Sequence, residues 1–331
     1  MSKNVALVLS SGGPRGFAYI GAIEELERRG YKITSVSGCS VGSLIGGVYA
    51  AGGLEDFKKW LYSLDNIKML RLLDVSISRS YLVRGERLMA KIKSIVPEVN
   101  IEDMAIPYVA VAADLYTGEQ VVFREGPLFD AIRASISIPS MFRPVKWRHR
   151  TLVDGGIVNT FPLDLVKRTP GDILVGFDVN DIDSSSINTF LEDRKTISES
   201  GKDITEEASE VLSSGKGLSL LDKVRMVGDI GERIIKERRE KGAEEKRLLL
   251  HGRAAHLPIS ADDSYFSILD RCFSITNHVI AKLDAQVLPP DVLVKMPLDA
   301  YSSLTDYVKG EEIAEKGRAL MAEALDRYES A

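Results

Sequence analysis

The hydrophobic pattern in the first half of the chain alternates between short apolar runs and helical repeats. Residues 5–10 (VALVLS) and 173–179 (ILVGFDV) are almost continuously apolar, which is typical of strands covered on both faces. The β-branched run 33–38 (ITSVSG) predicts another strand. Between the strands, apolar residues recur at steps of three from position 17, and Gly30 predicts the end of that helix. Strands that alternate with helices predict an α/β fold with a mostly parallel central sheet.

Four further segments before residue 180 carry the same alternation. Residues 41–53 predict a helix rich in small residues, and its glycines indicate close approach to a neighbouring backbone. Residues 107–115 and 119–123 predict two strands joined by a short turn. Residues 128–139 predict a helix that ends at Pro139.

The pattern changes after position 180. Residues 185–260 are strongly charged, and an apolar repeat within them predicts an amphipathic helix on Leu220, Val224, Val227 and Ile234. Apolar sequence then returns, with a strand and a closing helix predicted within 287–328. We therefore predict a single domain over 1–331, with a motif-bearing core at about 5–180. We expect the charged region to be a helical insertion that packs on the domain or contacts another subunit, and the alternative is a lid or a membrane-binding helix.

Composition restricts the class of protein. Of the 331 residues, 44% are hydrophobic and 27% are charged, as in ordinary soluble globular proteins. The formal net charge of -5 argues against nucleic acid as a main partner. Two cysteines, Cys39 and Cys272, provide no disulfide framework, which favours a reducing compartment. No window has eighteen consecutive apolar residues, so we expect a cytoplasmic protein that touches a membrane only peripherally.

The first candidate for chemistry is the segment GCSVG at positions 38–42. A serine between two glycines, placed after a strand and before a helix, is the nucleophile-elbow pattern. The helix that follows offers N–H groups and a favourable dipole for developing negative charge. The sequence therefore predicts Ser40 as a nucleophile. The alternative interpretation is a tight turn with a capping serine.

A serine nucleophile needs a base, and the histidines are poorly placed for that role. The chain has four of them, and none stands in a glycine-rich setting at a strand end: His149, His251, His256 and His278. The better candidate is Asp154, which ends a predicted strand and precedes two glycines. The alternative for Asp154 is an ordinary Asp-Gly turn between strands.

The third candidate is the loop SSGGPRG at positions 10–16, again between a strand and a helix. Acyl transfer needs N–H donors directed at the oxyanion, and a glycine-rich loop that opens a helix supplies them. Pro14 has no N–H, so the candidate donors are Gly12, Gly13, Arg15 and Gly16. The loop matches neither a dinucleotide-binding motif nor a P-loop. We expect no cofactor and no metal, and the remaining alternative is a simple helix-entry loop.

Taken together and in this order, the three segments resemble the patatin-like phospholipase family. The family pattern is a glycine-rich loop with a basic residue, then Gly-X-Ser-X-Gly, then Asp-Gly-Gly. A fourth family block, Ala-Ser-X-X-X-Pro, stands at 134–139, and the resemblance covers roughly residues 5–179. It implies a three-layer fold with a mostly parallel sheet. It also implies a lipid acyl hydrolase of bacterial type with a Ser40–Asp154 dyad and an oxyanion hole at Gly12 and Gly13.

The resemblance has one departure and leaves two alternatives. Ser11 stands where many members of the family have a third glycine. The expected reaction is hydrolysis of fatty-acyl esters of lipids or phospholipids through an acyl-enzyme. An α/β-hydrolase with a Ser-Asp-His triad using His256 or His278 is one alternative. A catalytically idle lipid-binding protein is the other.

Overall fold

The computed structural model describes residues 3–72, 74, 81–182, 265–302 and 306–331. The chain divides into two compact units, of which the first comprises Met1–Asp181 together with Pro258–Ala331. The second unit, Ile182–Leu257, lies outside the described residues apart from Ile182. The predicted helix on 220–234 falls there too. A single domain over 1–331 therefore stays a prediction, and all elements below belong to the first unit.

Strands alternate with helices over much of the described chain, as the hydrophobic pattern predicts, although three helices follow one another within residues 41–72 and three strands within residues 140–154. The strands are β1 (Asn4–Leu9), β2 (Lys32–Cys39), β3 (Tyr81–Val83), β4 (Tyr108–Asp114), β5 (Gln120–Phe123), β6 (Ser140–Phe142), β7 (Val145–Trp147), β8 (Arg150–Asp154), β9 (Ile173–Asp181) and β10 (Val292–Pro297). The α-helices are α1 (Ala18–Arg28), α2 (Val41–Ala50), α3 (Leu54–Tyr62), α4 (Asn66–Leu72), α5 (Glu86–Lys93), α6 (Leu128–Ser135), α7 (Tyr265–Val287) and α8 (Gly310–Glu329). Single turns of 3-10 helix span Gly13–Phe17, Ile101–Asp103, Gly155–Ile157 and Asp306–Val308.

Eight of these strands form one sheet in the order β10-β9-β1-β2-β4-β8-β7, with β5 also paired to β4. The five strands from β10 to β4 are mutually parallel. The β4–β5, β4–β8 and β7–β8 pairs are antiparallel. The predicted mostly parallel sheet is confirmed, and its antiparallel margin lies beside β4.

The central strand β1 shows why the sheet has helices on both faces. All residues from Val5 to Leu9 are fully buried. Val5, Leu7 and Leu9 pack in the core with α1, α2 and α8, whereas Ala6 and Val8 pack in a second core with Ala281 of α7. A strand with apolar neighbours on both faces has no position for a polar side chain, so its sequence is a continuous apolar run.

Helices α1 and α8 approach each other at two glycines. A Cβ atom at Gly21 would overlap the carbonyl of Ala314, and one at Gly317 would overlap the carbonyl of Ala18. The close crossing places the closing helix directly over α1. Among the described residues, no helix is long and apolar enough to cross a membrane.

Two predicted helix boundaries are wrong. Phe17 belongs to the 3-10 turn before α1, and α6 ends at Ser135, four residues before Pro139. Pro139 has no N–H to bond the carbonyl of Ser135 four residues back, and its ring would clash with that carbonyl, so the helix ends at Ser135.

Candidate active site

Ser40 occupies a strained turn between β2 and α2. Its backbone has φ 53° and ψ -123°, a positive φ that non-glycine residues rarely adopt. The residue is 3% exposed. Its N–H donates to the hydroxyl of Ser135 at 2.9 Å, and its carbonyl accepts from the Ser43 hydroxyl at 2.6 Å. Hydrogen bonds at both the N–H and the carbonyl of Ser40 thus hold the strained conformation.

The two glycines that flank Ser40 are required by backbone packing. A Cβ atom at Gly38 would overlap the backbone of Gly42, and one at Gly42 would overlap the carbonyls of Leu9 and Ser10. Strand β2 therefore turns into α2 with the helix pressed against the end of β1. The Gly-X-Ser-X-Gly spacing is the sequence consequence of that contact.

Asp154 meets Ser40 because of strand register. Val111 of β4 pairs with Cys39 of β2, and the next residue, Ala112, pairs with Asp154 of β8. Because β5 occupies the other side of β4 at these positions, the two strand ends lie on the same side of β4 in successive rows. The Ser40 hydroxyl donates to Oδ2 of Asp154 at 2.5 Å. The structure brings together two predicted residues that are 114 positions apart.

The Asp154 carboxyl group is fully buried. Burial raises its pKa to about 7, and hydrogen bonds from Ser40 and from the N–H of Gly156 act in the opposite direction. The Gly156 N–H donates to Oδ1 at 2.8 Å. The thiol of Cys39 lies 4.0 Å from the same oxygen, and burial raises the pKa of that thiol. A carboxylate with a pKa near neutrality accepts a proton far more readily than an exposed aspartate does.

Thr160 connects the loop that follows Asp154 to its surroundings. Its hydroxyl donates to the carbonyl of Gly156 at 2.7 Å and lies 3.1 Å from the side-chain amide of Asn277 on α7. Its own carbonyl accepts the N–H of Ser11 at 3.0 Å. A single buried threonine therefore joins the Asp-Gly-Gly turn, the glycine-rich loop and helix α7.

The glycine-rich loop lies against this turn. The N–H groups of Ser10 and Ser11 donate to the carbonyls of Phe177 and Thr160, so Ser11 has no spare backbone donor. Gly13 has φ 59° and begins the 3-10 helix Gly13–Phe17. In such a helix each N–H bonds the carbonyl three residues back, which uses the later N–H groups. Of the four predicted donors, Gly12 and Gly13 are therefore the two whose N–H groups are not used by hydrogen bonds within the 3-10 helix.

The other two predicted donors, Arg15 and Gly16, have structural contacts. The Arg15 side chain is 2% exposed and donates to the carbonyls of Val179 and Tyr301 at 3.1 and 3.4 Å. Burial lowers its pKa. A Cβ atom at Gly16 would overlap the side chain of Val41, the residue after the nucleophile. Arg15 and Gly16 therefore hold the loop in place beside the start of α2.

The two histidines of the described chain lie in other settings. His278 Nδ1 lies 2.8 Å from the carbonyl of Asn180, and His149 is exposed in the β7–β8 turn. Neither is hydrogen-bonded to Ser40 or Asp154 in the described part of the chain. His251 and His256 lie outside the described residues. No group of three or more acidic, histidine or cysteine residues in the described ranges could hold a metal ion.

Three residues of the site were not predicted as functional. Ser135 belongs to the block at 134–139, so the block itself was the signal. Thr160 follows the Asp-Gly-Gly motif by four positions, and only the fold shows what its hydroxyl contacts. Asn277 lies on α7, more than a hundred residues away, and no local pattern marks it.

The chain is similar to a known family and to several known proteins. A family model for patatin-like phospholipases matches residues 7–167. An uncharacterized NTE family protein of Mycobacterium tuberculosis is 33% identical over 341 aligned positions, which cover 99% of this chain and 93% of that protein. Patatin-like phospholipase domain-containing protein 6 of Homo sapiens is 28% identical over 57% of this chain and 14% of its own length. The crystal structure of VipD from Legionella pneumophila aligns with a TM-score of 0.42 and 13% identity, over 99% of this chain and 67% of that one.

Proposed function

We propose that this chain, which belongs to the patatin-like phospholipase family, is a serine hydrolase that cleaves fatty-acyl esters of lipids. Its nucleophile is Ser40 and its base is Asp154. The observation that carries the proposal is the 2.5 Å hydrogen bond from the Ser40 hydroxyl to the buried Asp154 carboxylate. A nucleophile and a base within hydrogen-bond reach are what acyl transfer through an enzyme ester requires.

The reaction proceeds in two halves. Asp154 accepts the hydroxyl proton while Ser40 Oγ attacks the ester carbonyl, and Asp154 then gives that proton to the departing alcohol. This leaves an acyl group on Ser40. In the second half Asp154 takes a proton from water, the resulting hydroxide attacks the acyl carbonyl, and the fatty acid leaves as the proton returns to Ser40.

The raised pKa of Asp154 supports this role for a carboxylate without an imidazole. An ordinary aspartate has a pKa of about 3.9 and is a poor proton acceptor at neutral pH. The buried Asp154 has a pKa of about 7, which removes much of that mismatch. The short contact to Ser40 provides a direct path for the proton.

The oxyanion is held, in this proposal, by the N–H groups of Gly12 and Gly13. The contact of Ser11 with Thr160 and the burial of Arg15 anchor the loop on both sides of these glycines. Pre-positioned N–H groups stabilise the tetrahedral intermediate more than water does, because they need no reorganisation.

A fluorophosphonate probe and two variants test the proposal. We expect the probe to label the wild-type chain at Ser40 and to leave Ser40→Ala unlabelled. The Asp154→Asn variant keeps the size of the side chain but loses the base, so we expect kcat/KM on a soluble acyl ester to fall at least about 1000-fold. Full activity in either variant would contradict the dyad.

The same variants distinguish an enzyme from an idle lipid-binding protein. Incubation with mixed membrane lipids, followed by mass spectrometry, should show free fatty acids and deacylated products with the wild-type chain only. Products that are unchanged by Ser40→Ala would assign the hydrolysis to another group. The product list identifies which acyl ester is preferred.

A further inference from the structure

Two hairpins extend beyond the edge of the sheet at which Ser40 lies. One is the β4–β5 hairpin, whose turn is residues 115–118. The other is the β7–β8 hairpin, whose turn is residues 148 and 149. Residues 115–118 together with 146–150 are called the hairpin-tip surface below. The turn at 115 begins three residues beyond Ala112, the partner of Asp154, which is about 10 Å along the strand.

The two hairpins form one surface because Arg150 joins them. Its guanidinium binds Glu119 at 2.8 Å and Asp114 at 3.5 Å, both on the first hairpin. The N–H of Leu115 also donates to the carbonyl of Thr151 at 2.8 Å. The tips are therefore held together by backbone and charge contacts.

The surface exposes apolar side chains next to cations. Tyr116 is 79% exposed and Leu115 is 48% exposed, although both are large and apolar. Trp147 packs edge-to-face on Phe123, and the guanidinium of Arg148 lies 4.4 Å from the Trp147 ring centre. This cation–π contact holds the Arg148 guanidinium over the face of the Trp147 ring.

Two of the cations on this surface are not neutralised by acids of the described chain. Arg150 occupies both nearby carboxylates, those of Glu119 and Asp114. Lys146 donates to the hydroxyl of Thr151 at 2.7 Å, and neither it nor Arg148 forms an ion pair with a described residue. The chain as a whole carries a formal charge of -5, so these two cations are opposite in sign to the net charge of the protein.

We propose that the hairpin-tip surface binds an anionic phospholipid membrane. Basic residues attract the negative surface of a bilayer, while Tyr, Trp and Leu side chains enter its interfacial region. The surface lies at the sheet edge that carries Ser40 and Asp154, so binding brings the dyad next to the lipid. The inference rests on the proposed function in one respect, because lipid esters must be the substrate for this placement to be useful.

Vesicle co-sedimentation with the full-length Ser40→Ala chain tests membrane binding without hydrolysis. We expect binding to vesicles of phosphatidylcholine with 30% phosphatidylserine to weaken about 30-fold when Lys146→Gln and Arg148→Gln are combined. The reason is that each cation near an anionic surface contributes roughly 1 kcal/mol. Raising the salt to about 0.5 M should weaken the parent in the same direction.

Matched variants keep the test specific. Lys91→Gln with Lys316→Gln removes two exposed lysines from α5 and α8, and it should bind anionic vesicles like the parent. Leu115→Ser with Tyr116→Ser should weaken binding even to vesicles of phosphatidylcholine alone, since it removes the apolar contact.

The outcomes separate the two proposals. Absence of binding to anionic vesicles, or equal binding by the Lys146/Arg148 double variant and its control, overturns the membrane surface. Binding to single-stranded RNA that depends on Lys146 and Arg148, without vesicle binding, also overturns it. Activity of the wild-type chain on a soluble ester is measured separately, so a failure of the acyl hydrolase proposal is visible even where vesicles bind.

Discussion

The turns that carry Ser40 and Asp154 are held in different ways. The turn at Ser40 is held by shape, because Gly38 and Gly42 bring backbone against backbone and force a positive φ on the serine. The turn at Asp154 is held by hydrogen bonds, from the N–H of Gly156 and through the hydroxyl of Thr160. Each turn also has some of the other kind of contact, so the difference is one of degree: close packing predominates at the nucleophile, and a buried polar network predominates at the base.

The difference predicts which kind of substitution each turn tolerates. A steric constraint fails when an atom is added, and it is insensitive to pH. A hydrogen-bonded constraint fails when a donor is lost, and it alters the electrostatics of the carboxylate that it holds. Substitutions of the two kinds should therefore have separable effects on stability and on the pH dependence of activity.

The largest effect should come from adding a methyl group at the Ser40 turn. In Gly42→Ala the new Cβ would overlap the carbonyls of Leu9 and Ser10, which cannot move without displacing β1. We expect the free energy of unfolding to fall by at least about 3 kcal/mol in urea denaturation.

The control is Gly52→Ala, where the new methyl group meets no atom within 4 Å. Its φ of 76° still disfavours alanine, so a loss of about 1 kcal/mol is expected. If Gly42→Ala is no worse than Gly52→Ala, packing does not hold the Ser40 turn and the comparison fails.

A smaller effect should follow from removing the Thr160 hydroxyl. Thr160→Val has nearly the same shape but loses the donor to Gly156 and the contact with Asn277. We expect kcat/KM on a soluble ester to fall about 30-fold, corresponding to about 2 kcal/mol for a lost buried hydrogen bond. The pH at half-maximal activity should shift as well, because the turn at Asp154 is then less firmly held.

Thr160→Ser retains the hydroxyl and should restore both activity and the pH profile to near the wild-type values. A purely structural role would instead lower stability in both variants and leave the pH profile of the folded fraction unchanged. That second result would show that the polar network does not affect the ionisation of Asp154.

The smallest effect is the pH dependence of the wild-type chain. Asp154 must be ionised to accept the Ser40 proton, and its pKa is about 7. Activity on a soluble ester should therefore rise through pH 7 to a plateau at higher pH. At pH 6 it should be about tenfold below that plateau. A flat profile between pH 5 and 8 would show that Asp154 keeps an ordinary pKa.

The same raised pKa sets the sign of a stability effect. Between about pH 4 and pH 7 the folded chain holds the Asp154 proton more tightly than the unfolded chain does. The free energy of unfolding therefore falls as the pH rises through that window, and Asp154→Asn should remove this contribution.

Local patterns were enough to predict the three motifs and most strands of the main sheet, but not β3, β6 and β7 or the helices α3, α4 and α5. The buried run of β1, the glycines around Ser40 and the Asp-Gly-Gly turn all reflect backbone geometry within a few residues. Their assembly around β4 depends on register, which the sequence does not display directly. The resemblance to a family replaced that missing information.

The supporting contacts could not be predicted for a physical reason. The hydroxyls of Ser135 and Thr160 and the amide of Asn277 act across elements distant in the chain. Small polar residues of these types are common in loops and helices, so nothing local distinguishes them. The boundary of α6 was missed because proline affects the residues before it as well as its own position.

The central position of β1 has a consequence for synthesis on the ribosome. This strand pairs with β2, which follows within thirty residues, and with β9, which begins at Ile173. One side of β1 thus stays unpaired until Ile173 has emerged, more than 160 residues after the strand itself. Nascent chains that stop before Asp181 therefore expose an apolar strand edge, and they are the species on which a holding chaperone would act.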